Sequence, residues 1–204
     1  MKRIRIARRA GSDSGFSLME LLVVVSLLSV VGTMVLSTII VTSKIQRKND
    51  SIITQRVAAQ TALERMGRDL TVANPLTAAA AADVSMKVYV KGYCEVHRYY
   101  ISGTTLSLDV SRYPASTTCT TATGTLGTAA TTVLARGVSN GSVALFTYSK
   151  WSSTSNARTN ITAPVASVSV GTVDRVEMDL RMTTTDGQPI AETESVDLRN
   201  VEIR

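Results

Sequence analysis

Several kinds of chemistry are excluded by what this sequence lacks. It has one histidine, His97, so a Ser-His-Asp arrangement would have only one residue to serve as base. No serine sits in the strand-to-helix elbow that exposes a nucleophile, and no glycine-rich phosphate loop is present to bind a nucleotide. The chain is therefore read as a non-enzyme. Cysteines number two, Cys94 and Cys119. With His97 they would give a metal site three ligands at most, and in a strand Cys94 and His97 point to opposite faces. No metal and no cofactor are expected, and His97 is expected at a surface or strand edge. Aromatic residues make up 4% of the chain, so its core should lean on Val, Leu, Ile and Met.

Acidic charge is scarce too, and the resulting net charge of +6 raises the question of nucleic acid as a partner. The surplus is local. Residues 1–15 carry +4 and residues 42–73 carry +3, while residues 74–204 are neutral. The distal region thus offers no basic footprint for nucleic acid.

From Leu21 to Val41 there is no charge at all, a run of 21 residues, and Glu20 stands at its head. The run is long enough to span a bilayer. A carboxylate at the centre of such a helix costs about 2.5–3.5 kcal/mol, and less towards the interface. The basic residues before the run keep residues 1–15 on the cytoplasmic side by the positive-inside rule. A cleavable secretory signal has an apolar region of only about 7–15 residues and a small-residue site after it. Here "TSKIQRKND" follows instead, and the same features oppose a twin-arginine reading of Arg8-Arg9. Composition alone describes a signal anchor. It places Cys94 and Cys119 outside the cytoplasm, where a disulfide is permitted; the alternative is two buried free thiols.

The stretch "SDSGFSLMELLVVV" resembles the N-terminal motif of type IV pilins and of the pseudopilins of type II secretion and DNA-uptake machines. In that family a basic leader ends in Gly, Phe often follows, and a Glu comes five residues into the mature chain. Those positions are Gly15, Phe16 and Glu20. The resemblance implies cleavage by a prepilin peptidase between Gly15 and Phe16, and N-methylation of Phe16. It also implies a role for Glu20 as charge partner of a neighbouring subunit's amine during assembly. Cleavage would create a cationic amine one helical turn from Glu20, where the helix dipole also favours a carboxylate. The alternative is a Glu that merely sits at the membrane interface as an N-terminal helix residue. The implied partners are the prepilin peptidase, other pilin or pseudopilin subunits, and an inner-membrane assembly platform with a separate motor ATPase. One departure is that no proline interrupts the apolar helix, as it does in many major pilins.

Helical signals continue past Val41. Ile45, Ile52, Ile53, Val57, Leu63, Met66 and Leu70 form one stripe with a gap near Gln60, and Asn74-Pro75 is the expected stop. A helix from Phe16 to Ala73 would be roughly 87 Å long, with Gly32 and Gly67 as possible soft points. "ALERMGRDLTVA" resembles the end of this helix in one subgroup of minor pilins and pseudopilins. "AAAAA" at 78–82 reads as a link. Beyond it the period falls towards two, and strands are expected at 86–90, 95–101, 105–110, 131–138, 142–150, 174–182 and 194–203. Ser102-Gly103, Asn140-Gly141 and Asp186-Gly187 mark turns, and residues 113–130 and 151–165 read as surface loops. Cys119 would tether the first loop to a strand edge at Cys94. Trp151 and the aromatic of "DVSRYP" are exposed candidates for a ligand or partner, or simply local anchors.

The fold class is α+β, a long N-terminal α-helix followed by an antiparallel β-rich head. The expected divisions are a leader at 1–15, a transmembrane or filament-core helix at 16–41, its amphipathic extension at 42–74 and an extracytoplasmic head at 75–204. The strand order resembles the heads of PilW-like minor pilins and J-type pseudopilins. The implied function is that of a minor pilin or pseudopilin, held in the plasma membrane by a single pass and then drawn into a filament or its tip complex. The alternatives are an uncleaved, membrane-anchored extracytoplasmic binding protein and a DNA-uptake pilus subunit.

Overall fold

The computed structural model describes residues 17–73, 76–114, 119, 122, 124–166 and 170–198. The chain divides into two compact units, Met1–Arg47 and Lys48–Arg204. One long helix, α1 (Leu18–Val72), belongs in part to each. It stops at Val72, just before the expected Asn74-Pro75 signal, which lies outside the described residues.

Within the second unit nine strands follow among the described residues: β1 (Leu76–Ala79), β2 (Asp83–Val90), β3 (Tyr93–Ser102), β4 (Thr105–Arg112), β5 (Ala130–Arg136), β6 (Phe146–Ser152), β7 (Ala157–Ile161), β8 (Arg175–Thr183) and β9 (Pro189–Asp197). They form two antiparallel sheets, a meander β1-β2-β3-β4-β5 and a second sheet β7-β6-β8-β9. The alternation in "DRVEMDLRM" works as expected, since Val176, Met178, Leu180 and Met182 are buried while Glu177 and Arg181 face out. Val84, Met86, Val88, Leu106 and Leu108 do the same for the first sheet, and both sets join α1 in one core.

The helix buries the second half of the expected stripe, Leu63, Met66 and Leu70, together with small residues the stripe did not include, and leaves the first half largely exposed. Ala59, Ala62, Leu63, Met66, Gly67 and Leu70 are buried, whereas Ile45, Ile53 and Val57 are more than half exposed. Ile52 only packs against the rim of the core. The small residues beside Leu63, Met66 and Leu70 let the sheets approach the helix axis. Gly67 is such a contact: a Cβ there would lie 2.6 Å from Glu194 Oε1 and 3.2 Å from Val196 Cγ2. It is a packing position of the helix, while Gly32 has nothing within 4 Å. Aromatics are few, yet Tyr99, Phe146 and Tyr148 are among the largest fully buried side chains. The two tyrosine hydroxyls find acceptors, Tyr99 at Asp69 Oδ2 (2.5 Å) and Tyr148 at the Ala80 carbonyl (2.8 Å), as buried phenols must.

Two seams join the sheets. The alanine run is one of them, and it is no mere link: Ala78 and Ala79 belong to β1. The carbonyls of Ala79 and Ala81 accept from the backbone N–H groups of Val165 (2.8 Å) and Phe146 (3.0 Å), which belong to the region of the second sheet. The other seam is at Gly137–Ser139, where the chain leaves β5. Val138 bridges to Met182 of β8, and its N–H donates to the Thr104 carbonyl beside β4. The Asn140-Gly141 turn therefore separates strands of different sheets, whereas Ser102-Gly103 and Asp186-Gly187 close the hairpins β3-β4 and β8-β9. Strand β7 lies inside the stretch expected to be loop. It is short and almost wholly exposed, so its pattern carries no burial signal. Strand β9 begins five residues earlier than the expected 194, and the end of that expected strand falls outside the described residues.

Candidate functional site

Ser17 sets the start of α1. Its Oγ accepts a hydrogen bond from the Glu20 N–H at 3.2 Å, and its carbonyl accepts from Leu21 N–H at 3.1 Å. Ser17-x-x-Glu20 has the spacing of a capping box, in which an N-cap hydroxyl satisfies an N3 amide and an acidic side chain occupies N3. Glu20 thus sits in the first turn, where the helix dipole favours negative charge. The sequence signal for this cap is S-x-x-E ahead of an apolar run. Gly15 and Phe16, the expected junction, lie outside the described residues.

From Leu21 to Val41 no described residue of the protein covers the helix. The large apolar side chains from Leu21 to Val41 are 46–66% exposed. Burying one such side chain contributes roughly 1.5–3 kcal/mol, so this stripe in water would cost on the order of tens of kcal/mol. The run also answers the polar-group requirement of a lipid environment. Ser26, Ser29, Thr33, Ser37, Thr38 and Ser43 each donate their hydroxyl to a carbonyl three or four residues back, at 2.7–2.9 Å. Those bonds hide the only side-chain donors of these residues inside the helix. Among the described residues α1 is the one helix long and apolar enough to cross a membrane.

In the second unit, Cys94 and Cys119 form a disulfide. Cys94 is not at a sheet edge, because β3 lies between β2 and β4. With Tyr113 and Ala122 the two cysteines form a small satellite core, and Lys87 Nζ donates to the Ala122 carbonyl at 3.1 Å. Cys119 and Ala122, which follow β4, are thereby fastened to β3 and β2 of the first sheet.

His97 is neither a surface nor an edge residue. It is 7% exposed and lies between two carboxylates, Nδ1 2.6 Å from Asp69 Oδ2 and Nε2 3.1 Å from Glu95 Oε2. Arg112 holds the other oxygen of Glu95 (2.5 and 3.0 Å) and stacks over Tyr93, 4.6 Å from its ring centre. Burial alone would lower the His97 pKa, but hydrogen bonds to Asp69 and Glu95 outweigh it and raise it. Burial would likewise raise both carboxyls, yet His97 and Tyr99 at Asp69, and Arg112 and His97 at Glu95, bring them below their ordinary values. With both ring nitrogens engaged, the chain's one histidine has none left to activate a serine. The pattern of β3 placed Glu95, His97 and Tyr99 on one face; that Asp69 would meet them could not be read locally. Among the described residues no group of His, Cys, Asp and Glu is arranged to hold a metal ion.

Trp151 lies in β6 and not in a loop. It is half exposed, and its backbone N–H donates to Asp174.

Residues 11–36 match the family described as the prokaryotic N-terminal methylation motif. No curated protein sequence matches the chain. The match spans the expected junction, Ser17, Glu20 and most of the uncovered apolar helix.

Proposed function

We propose that this member of the type IV pilin and pseudopilin family is a minor subunit, processed between Gly15 and Phe16 and drawn from the membrane into a filament or its tip complex. The observation that carries the reading is the coincidence of three features in one segment. The methylation motif covers residues 11–36, a capped helix start puts Glu20 at N3, and an apolar helix surface follows that no described residue covers.

Each feature has a place in assembly. In the membrane the apolar run is matched to lipid; in a filament the same surface meets the helices of other subunits. Cleavage leaves an amine on Phe16, one residue before the N-cap. A neighbour's Glu20 neutralises that amine as both leave the headgroup region, so that neither charge enters an apolar environment alone. The chain supplies no nucleotide site, so the work of extraction falls to a separate ATPase acting through an assembly platform. The minor role is supported by the resemblance of the head's strand order to PilW-like and J-type subunits. The cytoplasmic leader and extracytoplasmic head are supported by the basic residues before the span and by the disulfide beyond it.

Intact mass and N-terminal sequencing of the protein from its native membrane test the proposal. A chain beginning at Phe16, with a methyl group on its amine, is the expected result. A chain that still begins at Met1 overturns processing and leaves an anchored binding protein as the reading.

A further inference from the structure

We infer that His97 is an imidazolium in the folded protein, and that its second proton fastens the C-terminal turn of α1 to β3, so that the helix end loosens as this proton is lost.

The geometry requires it. An ionised carboxylate only accepts hydrogen bonds, and both ring nitrogens face carboxylate oxygens, at 2.6 and 3.1 Å. Each nitrogen must therefore carry a hydrogen. The two carboxylates are held as acceptors by other donors, Asp69 by the Tyr99 hydroxyl and Glu95 by Arg112. A neutral ring would leave one of the two contacts as lone pair against lone pair, in a place 7% exposed. The charged and titratable groups around the ring are Asp69 and, further off, Arg65 from α1, Glu95 and Tyr99 from β3, and Arg112 from β4. Its cross-strand neighbours, Met86 on β2 and Val110 on β4, are neutral.

Asp69 lies three residues before the end of α1, and the last turn contains no basic residue. A carboxylate there opposes the helix dipole. The imidazolium of β3 adds to the charge of Arg65 the positive charge that the last turn of the helix lacks. Losing the proton removes that charge and the hydrogen bond together.

The pH window follows from the directions of the shifts. A raised histidine contributes stability that is complete below its ordinary value of 6.5 and lost as pH rises through the folded value. The two carboxyls, ordinarily 3.8 and 4.5, contribute above those values and lose their contribution as pH falls through their lowered folded ones. The clasp is complete on the mildly acidic side of neutrality.

The full chain in detergent micelles, labelled with nitrogen-15 in its one histidine, provides the test. Both ring nitrogens should show the protonated signature at the ordinary value of 6.5 and above it, up to the midpoint of His97. Through that midpoint, the protection of the Thr71, Val72 and Ala73 amides against hydrogen exchange, corrected for intrinsic exchange, should fall by about tenfold or more, the scale of one hydrogen bond to a charged group. Asp69→Asn removes one of the two charges and should lower the midpoint. The inference is overturned by a wild-type midpoint at or below 6.5, by amide protection that ignores the titration, or by an unchanged midpoint in Asp69→Asn.

Discussion

Replacing Gly137 with alanine tests whether the seam between the sheets is built as described, with Gly187→Ala as its matched control. Both glycines have the left-handed backbone that side chains avoid, with φ of +78 and +75. Adopting it costs an alanine about 1–2 kcal/mol, offset in part by about 0.4–1 kcal/mol from the stiffer unfolded chain. A Cβ at Gly187 would meet nothing within 4 Å. Only this net cost of about 1 kcal/mol therefore applies there. At Gly137 the added Cβ would lie 2.9 Å from the Thr183 carbonyl oxygen, a backbone atom that cannot swing aside. The Thr183 N–H also donates to the Gly137 carbonyl at 2.8 Å, and the Val138–Met182 bridge is next to it. Relieving the clash pulls this seam apart and adds the loss of one or two backbone hydrogen bonds, about 0.5–1.5 kcal/mol each. The expected totals are about 1 kcal/mol for Gly187→Ala and about 2–4 kcal/mol for Gly137→Ala. Urea unfolding of the head, followed by the fluorescence of Trp151 in β6, separates them. With a slope of about 2 kcal/mol per molar, the Gly137 variant should lose about 1–2 M in midpoint and the Gly187 variant about half a molar. Equal shifts in the two variants would refute the reasoning, because φ alone would then account for both.

The remaining predictions concern assembly and packing. Glu20→Ala should leave cleavage and methylation intact, seen by mass, while sharply reducing the filament fraction recovered by shearing and sedimentation; normal filament yield would remove the charge-pair role. Met66→Ala empties the middle of the helix–sheet core, where Met66 is fully buried. It should cost about 2–5 kcal/mol, read as a fall in the urea midpoint. Cys94→Ala combined with Cys119→Ala opens a loop with a sequence separation of 25 and should cost about 3.5 kcal/mol in the chain-entropy model. A double variant as stable as the parent would mean that Tyr113 and Ala122 hold the connection without the bond.

Most of the architecture was written locally. The uncharged run, Ser17 and Glu20 specify where α1 begins and why its first half needs lipid or other helices, since capping and hydropathy depend only on near neighbours. Period-two stretches located most strands, and Ser102-Gly103 and Asp186-Gly187 located two hairpins, because a tight turn forces its flanking strands to pair. Tertiary structure alone decided the partition into two sheets. Asn140-Gly141 is as good a turn as the others, yet Gly137–Ser139 had already carried the chain across the seam. It also decided how much of the apolar stripe of α1 is buried, the half from Leu63 to Leu70 and not the half from Ile45 to Val57. Large apolar residues such as Ile53 and Val57 satisfy the helical period, but two sheets approaching together admit the smaller Ala59, Ala62 and Gly67. The alanine run shows the same logic, since composition cannot reveal that its carbonyls face the second sheet. His97 depended on long-range packing most of all. Strand alternation placed it beside Glu95, but only the packing of α1 on the sheet brings Asp69 to its other nitrogen, and the charge on that ring belongs to the fold.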